Sequence, residues 1–280
     1  MIIYAYKPGQ LGNILTVWAH LKAFSIEYQV PLWFIPIYPY APYFHIPTYP
    51  LFNNIFTYKF FYYLGRFLNK TNINNKFIQS IYLSWNEYMN INNESIRKKL
   101  QQTPIIILQG WQFRCPDLLA KHKTIIQQHL QIKYEYLSDV KKIIEQIKLS
   151  YDLIIGIHIR QGDYRTFENG KYFYTLHQYI QIIQYTKDTL FPNKNIFFYL
   201  CSNEKQDTQL LKKELSNIPY LLSNYEFIKD LYALTQCHYI IAPPSTFSML
   251  ASFLGNLPLY MIETYHTHFN KNDFKIIHVL

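Results

Sequence analysis

The chain has 280 residues, 49% apolar and 16% charged, enough for one large domain or two modest ones and too apolar to remain unfolded. Its formal charge is +9, but the Lys and Arg residues are scattered and no nucleic-acid-binding module is visible, so a phosphate-bearing small molecule ranks above nucleic acid as a partner. The three cysteines, Cys115, Cys201 and Cys237, are an odd number without paired spacing, which argues against a disulfide framework or a zinc site and fits a reducing compartment.

Met1 to Gly9 lacks the basic leader, long apolar core and cleavage site of a signal peptide. No uninterrupted apolar run approaches the roughly 18 residues of a spanning helix, so a soluble, cytoplasmic protein without a transmembrane segment is expected. The aromatic segment from Trp33 to Tyr63 is a candidate for peripheral membrane contact; its prolines and weak helical periodicity read as loop-rich and partly buried.

In chain order, Ile2 to Tyr6 is a short buried strand. Pro8 to Asn13 is a turn with two glycines, Ile14 to Tyr28 has helical spacing, and Pro31 to Pro36 is the next strand. This is a βαβ unit, which implies a parallel sheet. Residues 39 to 103 are less regular, with Arg97-Lys98-Lys99 on a solvated, helical stretch. Pro104 to Gly110 is an apolar strand; Asp117 to Leu130 and Ser138 to Lys148 read as helices, with Ser138 as an N-cap. A second alternation begins at Leu153. Strands are expected at 153–159, 195–201, 220–222, 238–242 and 258–262, and helices at 174–190, 203–215, 227–236 and 245–255. The chain is thus α/β with two halves, 1–149 and 150–280, and a ligand is expected in the cleft between them, outside the carboxyl ends of the strands.

Three segments carry candidate chemistry. In Gly156-Ile157-His158-Ile159-Arg160-Gln161-Gly162-Asp163-Tyr164, an apolar strand delivers His158, Arg160 and Asp163 to its carboxyl end. The Arg160 guanidinium is a planar fork of donors suited to phosphate, and Asp163 can hold it or take a proton; a plain strand-end ion pair reads equally well. In Ala242-Pro243-Pro244-Ser245-Thr246-Phe247-Ser248, Ser245 caps a helix whose free N–H groups and dipole suit an anion, or is simply a cap. Gly9-Gln10-Leu11-Gly12-Asn13 is a glycine turn open to close approach, short of a full dinucleotide fingerprint.

In order, these three segments resemble the α-1,2-fucosyltransferase family, glycosyltransferase family 11, and more broadly the superfamily holding the α-1,6- and protein O-fucosyltransferases. Gly110-Trp111-Gln112 and Phe198-Tyr199-Leu200-Cys201-Ser202 extend the resemblance from Tyr4 to about Ile262. It implies a GT-B architecture of two facing Rossmann-like domains with parallel sheets. The first would be acceptor-side and the second would bind the donor. It also implies an inverting transfer from GDP-fucose to a glycan hydroxyl, with no metal and no cofactor beyond the donor itself. By motif position, Arg160 holds the donor diphosphate, helped by His158, Ser202 and Asn203, while Ser245, Thr246 and Phe247 cradle it. Gly12 and Asn13 face the transferred sugar or the acceptor. Gln161 stands where the family usually has a second Arg, and Ser202-Asn203 where it has Ser-Asp; both departures put the donor's identity in doubt.

No Asp-x-Asp occurs to hold a divalent cation against a diphosphate. The leaving group then depends on Arg160 and backbone donors. The acceptor hydroxyl needs a base, for which Asp163 and Glu168 are the candidates. Glu168 lies eight residues after Arg160, where similar α-1,6-fucosyltransferases carry a catalytic Glu; a solvated loop carboxylate is the plain alternative. A metal site at His266 and His268 would need further ligands of the right geometry. Two other functions fit the same residues: transfer from another donor such as UDP-xylose, and sugar or nucleotide binding without catalysis.

Overall fold

The central runs of β-branched residues, such as those of β7 and β10, pair into strands here because helices bury them on both faces. The computed structural model describes residues 1–47, 54–71, 73–224, 227–266 and 268–280. Two compact units result: Met1–Gln131 with His278–Leu280, and Ile132–Ile277. The division therefore falls at 131/132 rather than at 149/150, because the helix expected to end the first half packs on the second half's sheet.

The first unit runs β1 (Ile2–Tyr4), α1 (Leu11–Tyr28), β2 (Leu32–Phe34), α2 (Ile55–Thr71), β3 (Ile78–Tyr82), β4 (Met89–Asn90), α3 (Glu94–Gln102), β5 (Ile105–Gln109), β6 (Phe113–Arg114), α4 (Pro116–Lys121) and α5 (Lys123–His129). Its main sheet has the order β2-β1-β5-β3 and every pairing is parallel. Ile3 and Ile107 of the sheet bury against Leu68 of α2, each such side chain contributing about 1.5–3 kcal/mol.

Two expectations fail in this unit. α1 begins at Leu11 rather than Ile14, which puts Gly12 and Asn13 in its first turn and shortens the glycine turn to Pro8–Gln10. Residues 39–103 are also more regular than their sequence suggests, since they include α2, β3 and α3. α2 hides its period because it is aromatic on two sides. Phe61, Leu64 and Leu68 pack inward, while Phe56, Phe60, Tyr63 and Phe67 are exposed. Residues 48–53 of the Trp33–Tyr63 segment lie outside the described residues.

The second unit runs α6 (Ser138–Ser150), β7 (Leu153–Ile159), α7 (Leu176–Tyr185), β8 (Ile196–Ser202), α8 (Thr208–Glu214), β9 (Tyr220–Leu222), α9 (Phe227–Thr235), β10 (Tyr239–Ala242), α10 (Thr246–Gly255), β11 (Pro258–Met261) and β12 (Lys275–Ile276). The sheet order is β12-β11-β10-β7-β8-β9, parallel except for the β11–β12 edge pair. Ile155, Ile157 and Ile159 of β7 face the core under α7, and the alternate residue His158 faces α10. Ser138 is not the cap of α6: Leu137 occupies the cap position, and no side chain caps the helix there. The helix expected at 203–215 starts only at Thr208, where the Asp207 carboxylate accepts from two backbone N–H groups.

Candidate functional site

From β7 the chain steps outward through β8 and β9, then returns across the sheet to place β10 on β7's other side. The strand order thus reverses between β7 and β10, and the crevice outside their carboxyl ends is where such sheets receive ligands. Two of the three candidate segments meet there. His158, at the end of β7, is buried, and its Nδ1 lies 2.7 Å from Oγ of Ser248 on α10. Its ring also packs against Phe247, with centroids 5.2 Å apart. The Tyr164 hydroxyl donates to the Pro244 carbonyl and so ties the loop after β7 to the turn after β10. Ser245 caps α10 as expected, its Oγ accepting from the Phe247 N–H at 3.3 Å.

Arg160 lies between these ties. Its side chain is only 15% exposed, and its guanidinium carbon stands 5.3 Å from the Tyr164 ring centroid. Its Nη2 donates to Asp163 at 2.8 Å, whereas its Nε is buried without a protein partner. A buried donor left unmade costs about 1–3 kcal/mol, more for a charged group, so this nitrogen is a feature that an anionic ligand would explain.

Gln161 and Asn203, the two departures from the family pattern, are joined to each other. The Asn203 side-chain oxygen accepts from the Gln161 N–H at 2.9 Å. The Gln161 side chain is buried; it donates to the Tyr174 carbonyl at 2.9 Å and accepts from Gln206 at 3.1 Å. An Arg at this position would have to bury its charge among neutral partners. Gly162 follows with φ +41°, and a Cβ there would stand 2.6 Å from the Asn203 side chain, so the turn needs glycine on both counts. Ser202 likewise braces this loop, its Oγ accepting from the Glu204 N–H and from Gln206.

The loop after β7 carries Asp163 and Glu168, and Glu204 follows β8. Asp163 is bound to Arg160. Glu204 pairs with Arg165 at 2.9 Å, and the Gly162 N–H and then Arg165 hold its pKa below the usual carboxylate range. Glu168 is exposed, with left-handed backbone at φ 48°, next to Phe167, whose ring stacks on Tyr164. Left-handed residues other than glycine cost about 1–3 kcal/mol and tend to mark functional loops.

In the first unit, Asn13 turns back on the glycine turn and donates to the Pro8 carbonyl at 3.0 Å. Gly9 has φ +131°, and a Cβ there would meet the Asn13 amide at 2.8 Å. The turn follows the end of β1, and the neighbouring end of β5 is held to it by the Tyr4 hydroxyl, which donates to the Gly110 carbonyl at 2.8 Å. Sequence reasoning gave no role to Tyr164, Ser248, Gln206 or Glu204. The first two lie inside the quoted motifs, but their partners are 80 and 90 residues away.

Burial first, and then the Arg160 charge, lower the His158 pKa to about 3, so the imidazole is neutral and a weak base. His20 in the first unit is lowered to about 4, chiefly by burial and also by Arg114. Its Nδ1 accepts from the Cys115 N–H at 3.1 Å, which leaves Nε2 to donate to the Leu280 carbonyl at 2.6 Å. An unfolded chain protonates both rings near pH 6.5, whereas the folded one resists until about pH 4 or 3. Over that window the unfolded state binds more protons, so stability falls as the pH falls. Urea midpoints measured across this range should drop with acidification, and the slope should flatten in a His20→Gln/His158→Gln double variant. An unchanged slope would assign the acid sensitivity to other groups.

All three cysteines are buried free thiols, and burial raises their pKa values. Among the described residues no three His, Cys, Asp or Glu side chains cluster as metal ligands. No helix there is long and apolar enough to cross a membrane.

The fold is that of the GT-B fucosyltransferases, with parallel, Rossmann-like α/β cores. FUT1 of Arabidopsis thaliana, solved as a variant in complex with GDP, matches 93% of this chain and 69% of its own at 13% identity and a TM-score of 0.62. POFUT1 in complex with GDP-fucose matches 91% of this chain and 94% of its own at 10% identity, with a TM-score of 0.53. The fucosyltransferase NodZ from Bradyrhizobium matches 93% and 95% at 16% identity, also with a TM-score of 0.53. No protein-family model and no curated protein sequence matches the chain.

Proposed function

We propose that this chain is an inverting, metal-independent glycosyltransferase of the fucosyltransferase superfamily, close to family 11, with GDP-fucose as donor. The observation that carries this reading is the half-buried Arg160 side chain, with its buried, unpartnered Nε, at the β7/β10 crossover beside the capped start of α10. A guanidinium and a helix N-terminus together offer fixed positive charge to a diphosphate. Solved proteins of this fold carry GDP or GDP-fucose, which supports a guanosine donor. Gln161 and Asn203 do not argue against it, since both are engaged in bracing the loop.

In the proposed reaction an acceptor hydroxyl oxygen bonds to the anomeric carbon as the bond from that carbon to the diphosphate oxygen breaks. The nucleoside diphosphate leaves with the electron pair, and a carboxylate takes the hydroxyl proton. A single displacement from the opposite face inverts the anomeric centre. Arg160 and the α10 N–H groups stabilise the charge that develops on the diphosphate. His158, neutral and tied to Ser248, positions the strand end rather than moving protons. The second unit takes the donor, and the first, with Gly12 and Asn13, takes the glycan acceptor.

A donor-hydrolysis and transfer screen tests this reading, using the full chain with GDP-fucose, UDP-xylose and related nucleotide sugars. GDP-fucose turnover that persists in EDTA is the expected result. Loss on chelation that Mn²⁺ restores overturns the metal-free mechanism, turnover of a UDP-sugar alone overturns the donor, and binding without turnover identifies a non-catalytic module.

A further inference from the structure

The outer face of α2 lies in a stretch with no carboxylate: between Glu27 and Glu87 the chain contains neither Asp nor Glu. Along this helix Phe56, Phe60, Tyr63 and Phe67 are 81%, 62%, 66% and 56% exposed. At about 100° per residue these four rings fall within about 60° of arc, so they form one stripe. Lys59, Arg66 and Lys70 fall within about 40° of arc directly beside it. A separate face of the helix, centred about 100° round from these rings, is already occupied, since Phe61, Leu64 and Leu68 pack on the sheet. Apart from the Phe60 ring, which touches Phe61, the outer stripe contributes little to the core, although exposing four large rings opposes solubility.

We infer that the outer face of α2 docks on a lipid bilayer with anionic headgroups, its rings entering the headgroup region and its cations meeting lipid phosphates. Aromatic rings beside a cationic row are the pattern of helices that lie in the membrane interface. Anionic lipid is favoured over a second copy of this chain by charge: the patch is basic, the chain carries +9, and two such faces would repel. The cationic row lies directly beside the aromatic one on the helix, so headgroup contact and insertion can occur together.

Co-sedimentation of the full chain with vesicles of phosphatidylcholine alone, and of phosphatidylcholine mixed with phosphatidylglycerol, tests this without any measurement of activity. The mixed vesicles should bind at least about tenfold more tightly, and the preference should shrink near about 1 M salt, where the Debye length is about 3 Å. Phe56→Ser/Phe60→Ser/Phe67→Ser should lower binding at least tenfold, and Lys59→Gln/Arg66→Gln/Lys70→Gln should abolish the preference for the anionic vesicles. If the triple aromatic variant melts early, Phe56→Ser alone serves, because that ring is the most exposed of the four. No binding to either vesicle, or equal binding by folded variants, overturns the inference. So does a dimer in sedimentation equilibrium that Phe60→Ser dissociates while vesicles are ignored.

Discussion

Replacing Arg160 with alanine should lower turnover by two or more orders of magnitude and leave the protein folded. The guanidinium sits at the end of β7, where it contributes to the crevice more than to the core. Its protein contacts are one bond to the exposed Asp163 and the face of Tyr164. An ion pair to an exposed carboxylate contributes at most about 1 kcal/mol to stability, so its removal is tolerable. Its proposed contribution in the transition state is larger. Removing one preorganised donor aimed at developing charge costs about 2.7–4 kcal/mol, which corresponds to about 10²–10³ in rate. Arg160→Lys should recover little, because an ammonium lacks the planar fork and the Nε donor. Thermal melting and steady-state kinetics with saturating donor check both halves of the expectation. A folded Arg160→Ala protein with near-wild-type turnover would remove the donor site from this crevice.

Glu168→Gln should lower turnover by roughly 10²–10⁴ while donor affinity changes little, because a base acts on the acceptor hydroxyl only as the transfer proceeds. Asp163→Asn should behave differently. Asp163 holds Nη2 of Arg160, so its loss should weaken donor binding as well as turnover. On the loops after β7 and β8, Asp163 is bound to Arg160 and Glu204 to Arg165. Glu168, exposed like Asp163, is held in left-handed backbone beside the Phe167–Tyr164 stack. Separate measurement of KM for donor and of kcat distinguishes the two roles. If neither substitution lowers turnover tenfold, the proton leaves through another group or through the departing diphosphate.

What the residues determine by themselves is local. Runs such as Ile154-Ile155 and Ile240-Ile241 suit a sheet covered on both faces, although an equally buried pair, Ile182-Ile183, lies in α7, so flanking turns and run length decide the reading. Ser245 before Thr246-Phe247-Ser248 is a cap by its own chemistry, and the structure has it capping. The position of Arg160 at a strand's carboxyl end follows from the apolar run before it, so the candidate site could be read before any fold was known. Where local chemistry is ambiguous the sequence misleads. Ser138 could cap but does not, and α2 carries aromatic rings on two sides, which blurs its apolar period.

Tertiary structure decided everything that depends on strand order. Nothing near residue 160 states that β10 lies beside β7, yet that crossover creates the crevice and brings Ser248 to His158 across 90 residues. The same holds for Tyr164 with Pro244, and for Gln161 with Asn203, whose pairing turns an apparent loss of charge into a loop brace. It also moved α6 into the second unit. Sequence periodicity reports which face of an element is apolar. It does not report which distant element covers that face, because that choice is made by packing and loop closure over the whole chain.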